Sequence, residues 1–146
     1  MLSDFERDSM RIIDANFNRA KEGFRVCEEI CRFHLNLKSY AKALNKMRHN
    51  LTKTIKGASI DQDSLIKARD SKNDVGSKFS YGPKRRSFKA IFTANAQRVK
   101  EALRVLEEFL KPFDRTSPKK IQKLRFDFYT FEKNAASRFK ALPDIG

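Results

Sequence analysis

The sequence predicts an all-helical fold in which two related helical hairpins form a four-helix bundle. Forty per cent of the 146 residues are apolar and 13 are phenylalanine, which is enough to fill a core. Only five glycines and four prolines occur, mostly in the middle of the chain and near its C-terminal end. Two long stretches are therefore free of helix breakers, and these stretches resemble each other in sequence.

The repeat is strongest between residues 15–29 (ANFNRAKEGFRVCEE) and residues 94–108 (ANAQRVKEALRVLEE), where nine of the 15 aligned positions are identical. It continues more weakly downstream, where KMRHNL at 46–51 resembles KLRFDF at 123–128. Similarity of this extent indicates the duplication of one helical unit. Each copy should be a pair of helices, and the two copies should pack with pseudo-twofold symmetry.

A single domain is predicted over residues 1–146. Pro112 and Pro118 bracket the turn of the second hairpin, where Thr116 or Ser117 can cap the last helix. The segment between the hairpins collects turn formers and lacks a sustained helical period, so it should be a long central loop. The predicted bounds are 9–34 and 38–56 for the helices of the first repeat (9–56), 57–87 for the central loop, and 86–111 and 117–140 for the helices of the second repeat (86–140).

Two polar residues recur on or beside the apolar face of the first helix of each copy. At about 100° per residue, Asn16 falls inside the apolar sector and Arg19 at its edge, and Asn95 and Arg98 repeat the pattern. A buried amide or guanidinium is costly unless it is paired. These groups either hydrogen-bond across the bundle and fix its packing, or line a polar pocket between the two halves. In such a pocket arginine would suit a phosphate.

The predicted central loop contains the segment ARDSKNDVGS at 68–77. Asp70 and Asp74 could hold Mg²⁺, which keeps waters and phosphate oxygens as its other ligands. Gly76 would permit a positive φ or a close approach of backbone N–H groups to an anion. A solvated linker is the alternative interpretation, although loops of this length often bind ligands.

The formal charge of +14, from 32 basic and 18 acidic residues, favours polyanionic partners or simply solubilises the helices. The chain has no targeting signal and no apolar run that could span a bilayer. Cys27 and Cys31 lie one helical turn apart on the apolar stripe and should be reduced core residues, so the cytoplasm is the expected compartment. No GxxxxGK[ST] or GxGxxG motif occurs, which excludes the common nucleotide-binding scaffolds.

Three segments carry a resemblance to a known family: RIIDANFNRAKEGFRVCEEICRF at 11–33, ARDSKNDVG at 68–76 and ANAQRVKEALRVLEEF at 94–109. Together they resemble the small helical, monofunctional hydroxymethylpyrimidine phosphate kinase of thiamin biosynthesis. That domain occurs alone or fused ahead of thiamin phosphate synthase, and free-standing members are often labelled thiamin-phosphate pyrophosphorylase-like. The resemblance runs from about Arg11 to Lys133.

The resemblance implies ATP-dependent phosphorylation of hydroxymethylpyrimidine phosphate to the diphosphate, with Mg²⁺. The chain ends too early for a synthase barrel of roughly 200 further residues, so pyrophosphorylase activity is not expected of it. The site residues that the resemblance implies fall into two groups: Arg69, Asp70 and Asp74 as catalytic, with Asp70 and Asp74 as metal ligands; and Asn16, Arg19, Glu22, Arg48, His49, Gly76, Asn95, Arg98 and Glu101 as substrate- and phosphate-binding.

Other functions stay open from the sequence. The chain could bind a thiamin precursor and partner thiamin phosphate synthase without catalysis. A basic RNA-binding module would explain the charge, but it leaves the polar residues on apolar faces unexplained and lacks aromatic-rich stacking platforms. A small phosphorylated pyrimidine is therefore the expected ligand, no membrane is expected as a partner, and the many phenylalanines would allow a homo-oligomer.

Overall fold

The computed structural model describes residues 2–79 and 81–139, and these residues form helices and connecting segments without a strand. The predicted all-helical class is confirmed. A short 3-10 turn, Ser137–Phe139, follows the last helix. The helices are α1 (Asp4–Phe33), α2 (Lys38–Lys56), α3 (Gln62–Ala68), α4 (Phe88–Leu110) and α5 (Thr116–Ala136).

Helix α1 begins five residues earlier than predicted, because Ser3 caps its N-terminus. The hydroxyl oxygen of Ser3 accepts a hydrogen bond from the backbone N–H of Glu6 at 3.1 Å. The same hydroxyl donates to the Glu6 carboxylate, also at 3.1 Å. These two hydrogen bonds stabilise the first turn. The negative charges of Asp4 and Glu6 also interact favourably with the positive end of the helix dipole.

The remaining bounds agree with the predictions except in the central segment and at the last helix. Helix α2 has the predicted bounds, but the predicted loop over 57–87 contains α3, which is too short to show a helical period. Asp61 caps α3 and Leu65 is buried. Helix α5 ends at Ala136, ahead of the predicted 140, and residues 140–146 lie outside the described part of the chain.

The cap of α5 also differs from the prediction. The carboxylate of Asp114 accepts a hydrogen bond from the backbone N–H of Ser117 at 2.7 Å, and its other oxygen accepts one from the Ser117 hydroxyl at 3.1 Å. It further accepts from the backbone N–H of Ser59 at 2.9 Å. Asp114 rather than Thr116 or Ser117 therefore caps the helix, and it also ties the second hairpin to the end of the first.

The four long helices form a bundle in which α1 packs against α2 and α4, and α5 packs against α4 and α2. Helices α1 and α4 run antiparallel, with Cys27 against the backbone of Phe92 and Gly23 against Asn95 and Val99. A Cβ atom on Gly23 would lie only 2.7 Å from Cγ2 of Val99. Glycine is therefore what allows this close approach of the two helices.

The core lies along the bundle axis. Its largest fully buried aromatic rings are Phe24, Phe92 and Phe128, and Phe24 packs edge-on against Phe128 with centroids 5.5 Å apart. Full burial of each such ring stabilises the fold by about 1.5–3 kcal/mol. Cys27 and Cys31 are buried in the same core. Burial raises the pKa of the Cys31 thiol to about 11 and that of Cys27 further, so both are protonated at neutral pH.

Candidate functional site

Two ion pairs, one partly buried and one buried, occupy equivalent places in the two hairpins. In the first, Arg48 of α2 donates to the carboxylate of Glu28 at 3.2–3.3 Å. In the second, Arg125 of α5 donates to Glu107 through Nε and, at 3.2 Å, through Nη2. The Glu107 pair raises the pKa of Arg125. Arg48, predicted to face the ligand, therefore serves to join α1 and α2.

The two buried asparagines are also equivalent to each other, and each is bonded within its own helix. Nδ2 of Asn16 donates to the carbonyl of Ile12 at 2.9 Å, and Nδ2 of Asn95 donates to that of Ile91 at the same distance. Neither amide bonds across the bundle among the described residues, so that interpretation is not supported. This local hydrogen bond offsets part of the free-energy cost of burying each amide.

The candidate site is a cavity of about 800 Å³ between the N-terminal half of α1 and the segment that follows α3. It contains six of the residues predicted for the site. The prediction placed the site between the two halves, whereas no described residue of α4 lines this cavity. The lining residues are Asp8, Arg11, Ile12, Asp14, Ala15, Asn16, Asn18, Arg19, Glu22, Arg69, Asp70, Ser71 and Asp74.

Arg69 is held by Asp14, and this pair attaches the segment after α3 to α1. Nε and Nη2 of Arg69 donate to the two carboxylate oxygens of Asp14 at 2.7 and 2.6 Å. These hydrogen bonds raise the pKa of Arg69. The side chain of Asp14 is 8% exposed whereas that of Arg69 is 47% exposed. A bidentate pair of this geometry is directional, so it fixes where the next residues of the segment lie.

Asp70 and Asp74 face the same cavity from consecutive turns. Asp70 accepts hydrogen bonds from the side-chain amide and backbone N–H of Asn73 at 2.8 and 3.3 Å, and the side-chain bond lowers the pKa of Asp70. Asp74 accepts from the backbone N–H of Gly76 at 2.8 Å. Both carboxylates therefore shape the segment through hydrogen bonds to its own backbone.

The fit of these carboxylates to a metal is partial. The described residues contain no group of three or more histidine, cysteine or acidic side chains placed to hold a metal ion. Mg²⁺ is often held by one or two carboxylates together with waters and phosphate oxygens of a ligand. Asp70 and Asp74 fit that second arrangement, which needs a phosphorylated ligand beside them.

Gly76 does not adopt the left-handed backbone conformation that the sequence allowed, since Gly82 alone has a positive φ among the described glycines. Its missing Cβ matters for another reason. A Cβ atom on Gly76 would lie 3.3 Å from Oδ1 of Asp74 and 3.4 Å from Cε2 of Phe79. The glycine thus allows a carboxylate and an aromatic ring to approach the same point of the backbone.

The charges around the cavity are mixed. The buried carboxylate of Asp14 neutralises Arg69, which leaves two arginines and four carboxylates. Such a lining suits a ligand with an anionic group at one end and hydrogen-bond donors at the other. The arginines are Arg11 and Arg19, and the carboxylates are Asp8, Glu22, Asp70 and Asp74.

Several predicted site residues lie elsewhere. His49 is exposed on α2, Asn95 is buried on α4, and Arg98 is exposed on α4. Glu101, also exposed on α4, accepts a hydrogen bond from Gln97 at 3.2 Å. The second copy therefore keeps the same residue types, yet the described residues do not assemble them into this cavity.

The sequence-based prediction missed five polar lining residues. Four of them lie on α1, at spacings of three or four residues from one another or from Asn16 and Arg19, which places them on the same side of the helix. This helical spacing was the signal that could have found them. The missed residues are Asp8, Arg11, Asp14, Asn18 and Ser71.

No helix in the described part of the chain has the length and apolar character needed to cross a membrane. A protein-family model described as the ThiD2 family matches residues 11–134. The thiamine-phosphate synthase of Nostoc punctiforme is 39% identical over 126 residues, which cover 85% of this chain and 34% of that protein. The thiamine-phosphate synthase of a Synechocystis species is 41% identical over 124 residues, 84% of this chain and 34% of that protein.

The chain thus spans about one third of the length of these curated relatives. No solved structure matches it significantly. The names of the relatives overturn the prediction that the chain is a hydroxymethylpyrimidine phosphate kinase, because proteins 35–41% identical over most of the chain are named synthases. The predicted link to thiamin biosynthesis is confirmed. Since the family model covers most of the sequence, this chain belongs to the ThiD2 family of thiamin biosynthesis.

Proposed function

We propose that the chain binds a phosphorylated pyrimidine precursor of thiamin and acts with a thiamine-phosphate synthase. The ligand would occupy the cavity between α1 and the segment after α3 (the α1 cavity). The observation that carries the proposal is the cavity lining, in which Arg11 and Arg19 lie among four carboxylates. Its volume of about 800 Å³ lies within the range of small-molecule sites. The arginines suit the phosphate, and the carboxylates suit the amino group of the pyrimidine ring.

Each contact has a physical basis in the lining. Arg11 and Arg19 are exposed on one side of α1 and would hold the phosphate as charge-assisted donors. Nδ2 of Asn16 is already bonded to Ile12, so its oxygen is the atom left to accept from an amino group. Asp70 and Asp74 would either accept from the ring or hold Mg²⁺ against the phosphate. The ATP and Mg²⁺ that the sequence predicted remain to be tested by binding.

The family supports the partner and the compartment that we propose. Relatives that contain this unit as one third of their length are named thiamine-phosphate synthase, so a unit that captures the phosphorylated pyrimidine would act beside the synthase reaction. Two buried, protonated thiols suit a reducing compartment, and the cytoplasm is the one we propose.

The experiment is calorimetric titration of the purified chain with hydroxymethylpyrimidine phosphate, with and without Mg²⁺, compared with thiamin phosphate, inorganic phosphate and ATP. We expect the pyrimidine phosphate to bind at least about tenfold more tightly than inorganic phosphate, because only it engages both ends of the cavity. An Mg²⁺-dependent gain in affinity would support Asp70 and Asp74 as metal ligands, and equal affinities without and with Mg²⁺ would remove that assignment.

The internal repeat supplies a matched control for the arginine assignment. Arg19 and Arg98 occupy equivalent positions and both are exposed, but only Arg19 lines the cavity. We expect Arg19→Ala to weaken pyrimidine phosphate binding by about tenfold or more, and Arg98→Ala to leave it within about twofold. Equal losses would place the ligand between the two helices, and the absence of pyrimidine phosphate binding to the unaltered chain would contradict the proposed function.

A further inference from the structure

The cavity offers a pyrimidine ring no aromatic surface of its own. Among the described residues that line it, the apolar ones are Ile12 and Ala15, and the others are polar or charged. A flat heteroaromatic ring gains much of its binding energy from stacking against an aromatic side chain or a guanidinium plane. An aromatic ring of this chain that stacks on the ligand would therefore lie at the rim of the cavity rather than inside it.

Phe79 is that ring. The segment from Ser71 to Phe79 is a succession of turns in which backbone N–H groups bond three residues back, from Asp74 to Ser71, from Ser77 to Asp74 and from Phe79 to Gly76, at 3.0–3.4 Å. The turns bring the ring of Phe79 against Gly76, whose missing Cβ would lie 3.4 Å from Cε2 of Phe79 and 3.3 Å from the Asp74 carboxylate. Asp74 itself lines the cavity.

The ring of Phe79 is accessible. Phe79 is 77% exposed, whereas the core rings Phe24, Phe92 and Phe128 are at most 2% exposed. Exposing a ring of this size to water is unfavourable, and a ligand that covers the ring face recovers that cost. The segment that carries the ring is attached to α1 by the Arg69–Asp14 pair.

We infer that Phe79 is a specificity-determining residue of the α1 cavity, which stacks on the pyrimidine ring of the ligand while the arginines hold its phosphate. This inference rests on the proposed function and adds the means by which the cavity distinguishes an aromatic phosphate from a non-aromatic one. Gly76 is part of the arrangement, because a side chain at that position would crowd both Asp74 and Phe79.

The first test compares affinities for two probes, hydroxymethylpyrimidine phosphate and inorganic phosphate. We expect Phe79→Ala to weaken binding of the pyrimidine phosphate about tenfold and to leave inorganic phosphate unchanged, because stacking needs the ring and the phosphate contacts do not. Phe79→Tyr should restore the affinity, whereas Phe79→Leu should not. Phe33→Ala is the matched control, since Phe33 is 66% exposed at the far end of α1 and its loss should change neither affinity.

A second readout uses the absence of tryptophan from the sequence. Phe79→Trp introduces a single indole whose fluorescence should be quenched on addition of the pyrimidine phosphate and not of inorganic phosphate, while Phe33→Trp should respond to neither. If the unaltered chain binds the pyrimidine phosphate but Phe79→Ala binds it equally well and the indole at position 79 is silent, the inference is wrong and the proposed function stands. If the unaltered chain does not bind it, the proposed function fails first.

Discussion

The two copies of the repeat share a framework but differ on the face that lines the cavity. On α1 this face carries Asp8, Arg11 and Asp14. The residues 79 positions later are Ser87, which caps α4, and Ala90 and Thr93 on α4. The position of Asp14 is the most telling difference, because its carboxylate binds Arg69 and attaches the segment after α3. Thr93 has no charge with which to hold an arginine.

Some positions that are identical in the two copies serve packing, whereas Asn16, Arg19 and Glu22 also line the cavity although α4 carries the same residue types. Glu28 and Glu107 receive an arginine from the neighbouring helix, and Asn16 and Asn95 bond their own helices in the same way. The two copies therefore share the residues that join the helices and part of the cavity lining, whereas Asp8, Arg11 and Asp14 occur in the first copy and not at the equivalent positions of the second. The lining residues that differ between the copies help to explain why this cavity lies beside α1.

The largest expected loss of stability follows from breaking the ion pairs that join the helices of each hairpin. The side chains of Arg125 and Glu107 are 11% and 4% exposed, and those of Arg48 and Glu28 are 19% and 9% exposed. Removing the arginine leaves each carboxylate with weaker contacts, to Arg104 at 3.6 Å for Glu107 and to Arg25 at 3.8 Å for Glu28. Breaking a fully buried pair costs about 3–5 kcal/mol. We expect Arg125→Ala to lower the free energy of unfolding by about 3 kcal/mol, and Arg48→Ala by about 2 kcal/mol.

Urea denaturation at neutral pH measures both values. Arg104→Ala is the control, because Arg104 makes exposed contacts to Glu107 and Glu108 from the same helix, and its loss should cost no more than about 0.5 kcal/mol. A cost below about 1 kcal/mol for Arg125→Ala, or a larger cost for Arg48→Ala than for Arg125→Ala, would mean that the second hairpin does not depend on its ion pair in this way.

Helical periodicity and the repeat were sufficient to predict the class of fold and the bounds of α2, because both depend on local patterns of apolar residues. They were not sufficient for the cavity. The contact between Asp14 and Arg69 joins residues 55 positions apart and depends on how the central segment folds back, which no local pattern records. Helix α3 was missed because seven residues make fewer than two full periods.

The second largest expected loss of stability follows from a substitution where α1 and α4 approach closely. Gly23 faces Val99, and the equivalent residues of the other copy are Ala102 and Ala20. We expect Gly23→Ala to destabilise the fold by about 2 kcal/mol, since the new methyl group would lie 2.7 Å from Cγ2 of Val99 and 3.1 Å from the carbonyl oxygen of Asn95.

The double variant Gly23→Ala, Val99→Ala recreates the alanine pair of the other copy, so it should recover stability relative to Gly23→Ala alone. Thermal and urea denaturation of the two single variants and the double variant measure the coupling. Additive losses would show that the clash with Val99 does not set the helix spacing.

The smallest expected loss of stability concerns the starts of α2 and α5. Asp114 caps α5, whereas the equivalent residue 77 positions earlier, Leu37, forms no side-chain cap on α2. Desolvation opposes ionisation of Asp114, but the hydrogen bonds from the backbone N–H groups of Ser59 and Ser117 outweigh it and lower its pKa below the ordinary value of 3.8. A lowered pKa in the folded state contributes stability that is present above the unfolded pKa and is lost as the pH falls through the folded one.

Asp114→Ala should therefore cost about 1 kcal/mol at pH 7, and the difference from the unaltered chain should shrink as the pH falls from about 5 towards 2. Asp114→Asn keeps one acceptor oxygen in place of two and cannot titrate, so it should keep part of the stability at pH 7 and lose this part of the pH dependence. Urea denaturation at a series of pH values separates the two variants. If the difference in free energy of unfolding between Asp114→Ala and the unaltered chain stays constant over this pH range, the charge of the carboxylate does not contribute to the cap. The ionised carboxylate would then not explain why α5 starts differently from α2.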